Sequence, residues 1–177
     1  MATETWERKK IGDFLTLEYG KPLDKSLRKE DGKYPAYGAN GVKCRSDEYY
    51  FDKQTIIVGR KGSAGELTLT EDKFWPLDVT YFVKFDESKF DLMFIYYLLG
   101  QLNLPSLATG VKPGINRNNV YAIQVDVPNL DKQKEIVSYL TEAEEEISRL
   151  QNVYQTQLSS LAELRQSILN KTLSNEL

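Results

Sequence analysis

Histidine is absent from the 177 residues, which removes the commonest general base and metal ligand from the chemistry open to this chain. A single cysteine, Cys44, excludes an internal disulfide framework and fits a reducing compartment. With no histidine to activate it, Cys44 reads as a small structural residue rather than a nucleophile. Long apolar runs are missing too: the longest, Leu92 to Leu99, falls far short of the roughly 20 residues that cross a bilayer. The opening residues, Met1 to Arg8, mix both charge signs and lack the apolar middle of a secretory signal. A cytoplasmic protein with no membrane partner is expected. Glycine and proline vanish after Pro128, so the last quarter of the chain has nothing to interrupt a helix.

What is present is ordinary for a folded protein: 41% apolar and 28% charged residues, in a length that suits one core plus an extension. The net charge is −3. Its distribution says more, because residues 1–130 hold 18 basic and 18 acidic side chains while residues 131–177 hold 5 and 8. The acidic excess therefore lies in the tail, and the first part is neutral.

Over the first 130 residues, short strand-like runs alternate with turn residues, which predicts an α+β domain built on a mixed sheet. Strands are expected near Trp6–Ile11, Tyr34–Tyr37, Gln54–Val58, Glu66–Leu69, Thr80–Phe85 and Tyr121–Val127. The segment Gly59-Arg60-Lys61-Gly62-Ser63-Ala64-Gly65 sits between two of them and reads as a tight connection with positive φ at one or more glycines. It lacks the Gly-Lys-Ser/Thr ending and the strand-to-helix context of a nucleotide phosphate loop. Lys89–Gln101, with apolar residues at 90, 94, 97 and 98, suits a largely buried helix.

Residues 130–177 form a second region, a long helix expected from about Asp131, its N-cap, to Thr172. At 1.5 Å per residue it would be about 60 Å long, far more than its own domain needs. Its heptad positions are Ile136, Leu140, Ala143, Ile147, Leu150, Tyr154, Gln157, Leu161, Leu164, Ile168 and Lys171. Only Gln157 and Lys171 break the apolar seam, and Leu158 partly repairs the first gap. A seam of this length predicts a coiled coil with another helix. The run Glu144-Glu145-Glu146 is read as solvent-facing decoration of that helix.

Several segments, in order, resemble the specificity subunit of type I restriction-modification systems. They are Leu17-Glu18-Tyr19-Gly20-Lys21-Pro22-Leu23, Tyr34-Pro35-Ala36-Tyr37-Gly38-Ala39-Asn40-Gly41, and the glycine-rich 56–65 segment. Phe74-Trp75-Pro76-Leu77-Asp78, Gly110-Val111-Lys112-Pro113-Gly114-Ile115-Asn116, Val127-Pro128-Asn129-Leu130 through Gln133, and Leu164 to Lys171 follow. Lys132 stands where the family commonly has glutamate, and Thr172-Leu173-Ser174-Asn175 departs from the usual helix close.

The resemblance implies a target-recognition domain over 1–129 and a conserved helix over 130–177, half of the usual two-domain subunit. It also implies a non-catalytic protein that reads one half of a bipartite site in double-stranded DNA. S-adenosylmethionine would be carried by partner modification subunits, and ATP and magnesium by a restriction subunit where one is present. Two copies would pair as a homodimer through antiparallel C-terminal helices.

Candidate DNA contacts are Lys21, Lys25, Arg28, Lys43, Arg45, Arg60, Lys61, Lys112, Asn116 and Arg117. The run from Lys21 to Lys33 is interrupted by Asp24, Glu30 and Asp31, and a solvated loop is the commoner explanation for such a mixture. Arg60 and Lys61 either approach DNA or decorate a loop tip. Lys112, Asn116 and Arg117 flank a Pro-Gly turn that can present guanidinium and amide groups to guanine and adenine edges. Candidate helix contacts are Ile136, Leu140, Ile147, Leu150, Tyr154, Leu158, Leu161, Leu164 and Ile168.

Tyr49, Tyr50, Phe51, Phe74 and Trp75 are expected in the core rather than stacked on bases. Two rival readings stay open: a coiled-coil adaptor or inhibitor whose neutral head binds restriction-modification proteins, and, less favoured, a small metal-dependent nuclease. Adjacent acids such as Asp47-Glu48 and Glu71-Asp72 tend to face opposite ways on a strand, which argues against the nuclease. The amino-methyltransferase motif, Asp/Asn-Pro-Pro-Tyr/Phe, is absent.

Overall fold

A computed structural model describes residues 6–111 and 113–173. The chain divides into two units, Met1–Lys134 and Glu135–Leu177.

Among the described residues, the first unit is α+β, with three sheets. The largest is four-stranded, in the order β2 (Leu15–Tyr19), β8 (Thr80–Phe85), β5 (Ile56–Gly59), β6 (Leu67–Leu69), and every pairing in it is antiparallel. A three-stranded sheet sets β3 (Tyr34–Gly38) between β4 (Gly41–Ser46), antiparallel to it, and the two-residue β7 (Trp75–Pro76), parallel to it. The third pairs β1 (Glu7–Lys10) with β9 (Gln124–Val127).

Burial explains the pattern. Ile56, Ile57 and Val58 are all fully buried, as a central strand covered on both faces requires. Ile57 packs in one cluster with Tyr37, Phe74 and Phe82, against which Phe51 is laid. Leu23, Ala36 and Leu77 form a second cluster. Cys44 is a half-buried free thiol packed against it.

Helix α1 covers Leu92–Gln101 rather than starting at Lys89, because the Asp91 side chain accepts from the Phe94 amide at 3.0 Å and so caps it. The strand expected from Tyr121 begins only at Gln124. Residues Arg117–Tyr121 form a short helix, α2, capped by Asn116, whose side chain accepts from the Asn118 amide at 2.9 Å. The Tyr121 hydroxyl then accepts from Leu17 N at 2.8 Å, while Arg117 Nη1 donates to Leu17 O at 3.2 Å. Side chains of α2 thereby satisfy backbone groups that β2 leaves unpaired at its open edge.

Of the five aromatics expected in the core, Phe74 is fully buried and Phe51 partly so, whereas Tyr49 and Tyr50 are exposed. Exposure leaves their hydroxyls in water while the rings keep partial contacts, Tyr49 with Tyr34 and Tyr50 with Trp75.

Helix α3 runs over Leu130–Leu173, 44 residues, about 66 Å at the helical rise. Its N-cap is Asn129, not Asp131: Asn129 Oδ1 accepts from Lys132 N at 3.0 Å, and Asp131 sits inside the first turn, where an acid complements the helix dipole. Gln133, in the same turn, is 1% exposed. Its Oε1 accepts from Asp91 N at 2.9 Å, and its Nε2 donates to Pro128 O at 2.9 Å and Lys89 O at 3.2 Å. Both amide protons and the carbonyl oxygen of Gln133 are thus engaged inside the first unit.

In the second unit Ile136, Leu140 and Ala143 are half-buried, and Ile147, Leu150, Tyr154, Leu158, Leu161, Leu164 and Ile168 are exposed. No helix of the described residues is long and apolar enough to cross a membrane.

Candidate nucleic-acid interface

Two loops far apart in sequence are hydrogen-bonded into one surface. The first, between β5 and β6, turns through Gly62 (φ 83°) and Gly65 (φ 88°), as expected of a hairpin connection. At Gly65 an added Cβ would also meet Leu104 C at 2.6 Å, so conformation and space both require glycine there. The second loop runs from Thr109 into α2. Ile115 N donates to Arg60 O at 3.0 Å, Gly62 N donates to Pro113 O at 3.1 Å, and Lys61 forms a β-bridge with Gly114. Arg60 N and Lys61 N also both donate to Val79 O, at 2.9 and 3.2 Å.

This arrangement brings Arg60, Lys61, Asn116 and Arg117 together from opposite halves of the domain. Between the two arginines lies a residue that the basic-residue reading passed over, Tyr19, at the end of β2. The Arg117 guanidinium carbon is 4.8 Å from the Tyr19 ring centroid and that of Arg60 is 5.4 Å, both within cation–π range. Arg60 donates through Nε, at 3.2 Å, and Nη2 to Asp78 O. Behind Tyr19 stands Tyr81, with ring centroids 5.1 Å apart, whose hydroxyl donates to Ile115 O at 3.1 Å. Burial pushes the Tyr81 phenol above its usual range, and the neighbouring Tyr19 adds to the effect. Lys21, exposed, follows two residues after Tyr19, and its backbone is bonded to Pro76 O and to the Trp75 indole.

The remaining candidates are placed differently. Arg28 donates through Nε and Nη2 to Leu23 O at 3.2 and 2.9 Å, and Arg45 donates to Gly32 O and Lys33 O at 2.6 and 2.9 Å. These two guanidiniums brace loops around β3 and β4. Lys25 lies exposed in a 3-10 turn capped by Asp24. Lys43 is exposed on β4, its stem lying over Gly38. Asn116 uses Oδ1 as the α2 cap, which competes with a bidentate contact to adenine. Lys112 lies outside the described residues.

A cleft of about 440 Å³ elsewhere in the first unit is lined by Asp52, Asp72, Glu87 and Asp91 with Lys53 and Lys134 among others. It shares no residue with the arginine cluster. Among the described residues, no group of three or more Cys, Asp or Glu side chains is placed to hold a metal ion.

Residues 3–158 match the family described as the type I restriction modification DNA specificity domain. The chain belongs to that family. A Haemophilus influenzae protein named as a type I restriction enzyme specificity subunit is 29% identical over 125 residues, which cover 68% of this chain and 32% of the relative. The crystal structure of the type I restriction-modification S subunit from M. genitalium superposes with a TM-score of 0.72 at 25% identity, over 85% of this chain and 42% of that one. The HsdS subunit from Thermoanaerobacter tengcongensis has the same fold, with a TM-score of 0.69 at 15% identity, over 97% of this chain and 45% of that one. This chain therefore spans less than half the length of the specificity subunits that it matches. The α+β domain followed by one long helix is the architecture that these relatives share with it.

Proposed function

We propose that this chain reads one half of a bipartite site in double-stranded DNA, as a non-catalytic component of a type I restriction-modification complex. The observation that carries the reading is the convergence of Arg60 and Arg117 on Tyr19, with Lys61 beside Arg60 on one of two loops hydrogen-bonded to each other, in a chain whose family is that of DNA specificity domains. A domain with equal numbers of acids and bases overall can still bind DNA through one basic face, though weakly when alone. Affinity would rise when two copies and their modification subunits hold two half-sites at once. In this reading S-adenosylmethionine resides on the modification subunits, and ATP with magnesium on a restriction subunit.

The second copy is seated by the exposed seam of α3. The reading places the two helices antiparallel, with Tyr154 opposite the partner's Gln157. Leu150 then meets the partner's Leu161 and Ile147 the partner's Leu164, and Glu144 lies beside the partner's Arg165. A shift of one heptad either way would set Gln157 against Ile147 or Leu161, leaving a buried amide facing an aliphatic side chain. The polar break in the seam thus favours one register.

The test is selection from a pool of randomised DNA duplexes by the full chain assembled with a type I modification subunit. Enrichment of a defined half-site is expected. If the complex forms and enriches nothing, the head binds protein and the adaptor reading replaces this one; failure of the complex to form contradicts the assignment.

A further inference from the structure

An arginine on a protein surface is usually mobile, and fixing it on a ligand costs about 2 kcal/mol of rotamer entropy at most. At the Tyr19 cluster that ordering accompanies folding. Arg117 Nη1 is bound to Leu17 O, and its guanidinium carbon lies 4.8 Å from the ring of Tyr19, two residues along the same strand. Tyr19 is 45% exposed. It is fixed in turn by the β2–β8 pairing, Tyr19 to Tyr81, and by the adjacent Tyr81 ring.

The two arginines are not equivalent. Arg60 places its Nε and Nη2 on Asp78 O, so the edge of its guanidinium that makes side-on bidentate pairs is occupied. Arg117 is bound through Nη1 alone among the described residues, which leaves its Nε–Nη2 edge for a ligand with two adjacent acceptors. In DNA that chemistry belongs to O6 and N7 of guanine in the major groove, and also to a phosphate. A guanidinium held between a ring and a carbonyl suits the planar base edge, whereas a phosphate accepts a cation from many directions.

The geometry points to Tyr19 as a positioning residue for base reading: its ring holds the Arg117 guanidinium so that the Nε–Nη2 edge meets one guanine of the half-site. Arg60 contributes charge and closes the cluster without reading a base. This rests on the DNA-reading function proposed above.

The test compares wild type, Tyr19→Phe, Tyr19→Leu, Arg117→Lys and Arg117→Ala. Each full chain, assembled with the modification subunit, selects from the randomised duplex pool, and the salt dependence of its affinity is measured. Tyr19→Phe keeps the ring and should keep the wild-type motif. Tyr19→Leu, Arg117→Lys and Arg117→Ala should all lose preference at the same single G·C pair, by on the order of tenfold. The other positions should be unchanged, and Arg117→Lys should leave the salt slope intact because it keeps the charge. Wild-type preference at every position in Tyr19→Leu overturns the inference. So does a uniform weakening across sequences by Arg117→Ala with a shallower salt slope, which assigns Arg117 to a phosphate. If wild type itself enriches no sequence, the DNA-reading function fails and this inference with it.

Discussion

Gln133 is the most exacting place to test the physical account of the first unit. Replacing it by leucine keeps the bulk and removes three hydrogen bonds, leaving Asp91 N–H, Lys89 O and Pro128 O without their partner. The Asp91 and Lys89 groups are only partly buried and can recover some water, at a net cost of about 1 kcal/mol each; the enclosed Pro128 carbonyl costs about 2 kcal/mol. Leucine returns roughly 1 kcal/mol through added apolar burial, for a net loss of about 3 kcal/mol. For a domain of this size that lowers Tm by about 10 °C. Tryptophan fluorescence is the assay of choice, because Trp6 and Trp75, the two tryptophans, both lie in the first unit. Gln133→Glu should be worse than leucine at neutral pH, since a carboxylate would face two carbonyls. That carboxyl's folded pKa would be raised by burial and by the carbonyls, so the folded variant binds more protons and gains stability as pH falls. A Gln133→Leu melting curve within about 1 °C of wild type would mean that the three amide hydrogen bonds do not hold the domain together as described.

Other expectations follow from the same contacts. Leu150→Asp with Leu161→Asp should convert a dimer to monomers in sedimentation while leaving the tryptophan melting curve of the head unchanged; an unchanged dimer mass contradicts the seam. In a Cys44→Ser background, mixing Tyr154→Cys chains with Gln157→Cys chains should yield disulfide-linked heterodimers, whereas Tyr154→Cys alone should link if the helices run parallel. Asn129→Ala removes the α3 cap and should cost about 1 kcal/mol, read by chemical denaturation; no change would mean that Asp131 takes over. Burial raises the phenol pKa values of Tyr37 and Tyr81 above 10.0. Their contribution is therefore complete below pH 10 and is lost as pH rises through the raised values. Tyr37→Phe should flatten the alkaline fall in stability, and an identical pH profile would count against the assignment.

Much of this fold was legible because its strongest signals are local. β8 has the bounds expected from its sequence, and α3 announces itself by a 3.5-residue period in a stretch without glycine or proline. Elements that depend on distant partners were not legible. β4 is a polar strand, Gly41 to Ser46, that exists because β3 pairs with it; β7 is two residues long and ends in Pro76. The α2 sequence, Arg117-Asn118-Asn119-Val120-Tyr121, holds poor helix formers, and its Arg117 and Tyr121 side chains bond to a strand about a hundred residues away. Asn129 and Asp131 are both competent caps; the sequence favours Asp131, whereas in the structure Asn129 takes the cap and Asp131 falls inside the first turn. The same limit applies to the candidate interface. Arg60, Lys61, Asn116 and Arg117 could be named from their loops, but that Arg28 and Arg45 serve backbone carbonyls is a tertiary fact. Tyr19 escaped notice because its role comes from two cations that approach from elsewhere in the chain. The only local signal was an aromatic directly before Gly20-Lys21-Pro22.

In the proposed function this chain supplies sequence recognition to a methylating complex. The most direct measurement is methylation of a randomised DNA library by the full chain assembled with a type I modification subunit and S-adenosylmethionine, followed by sequencing of the methylated molecules. A two-part motif is expected, its halves related by two-fold symmetry and each read by one copy. An assembled complex with active methyltransferase subunits that modifies DNA without any sequence preference would contradict it.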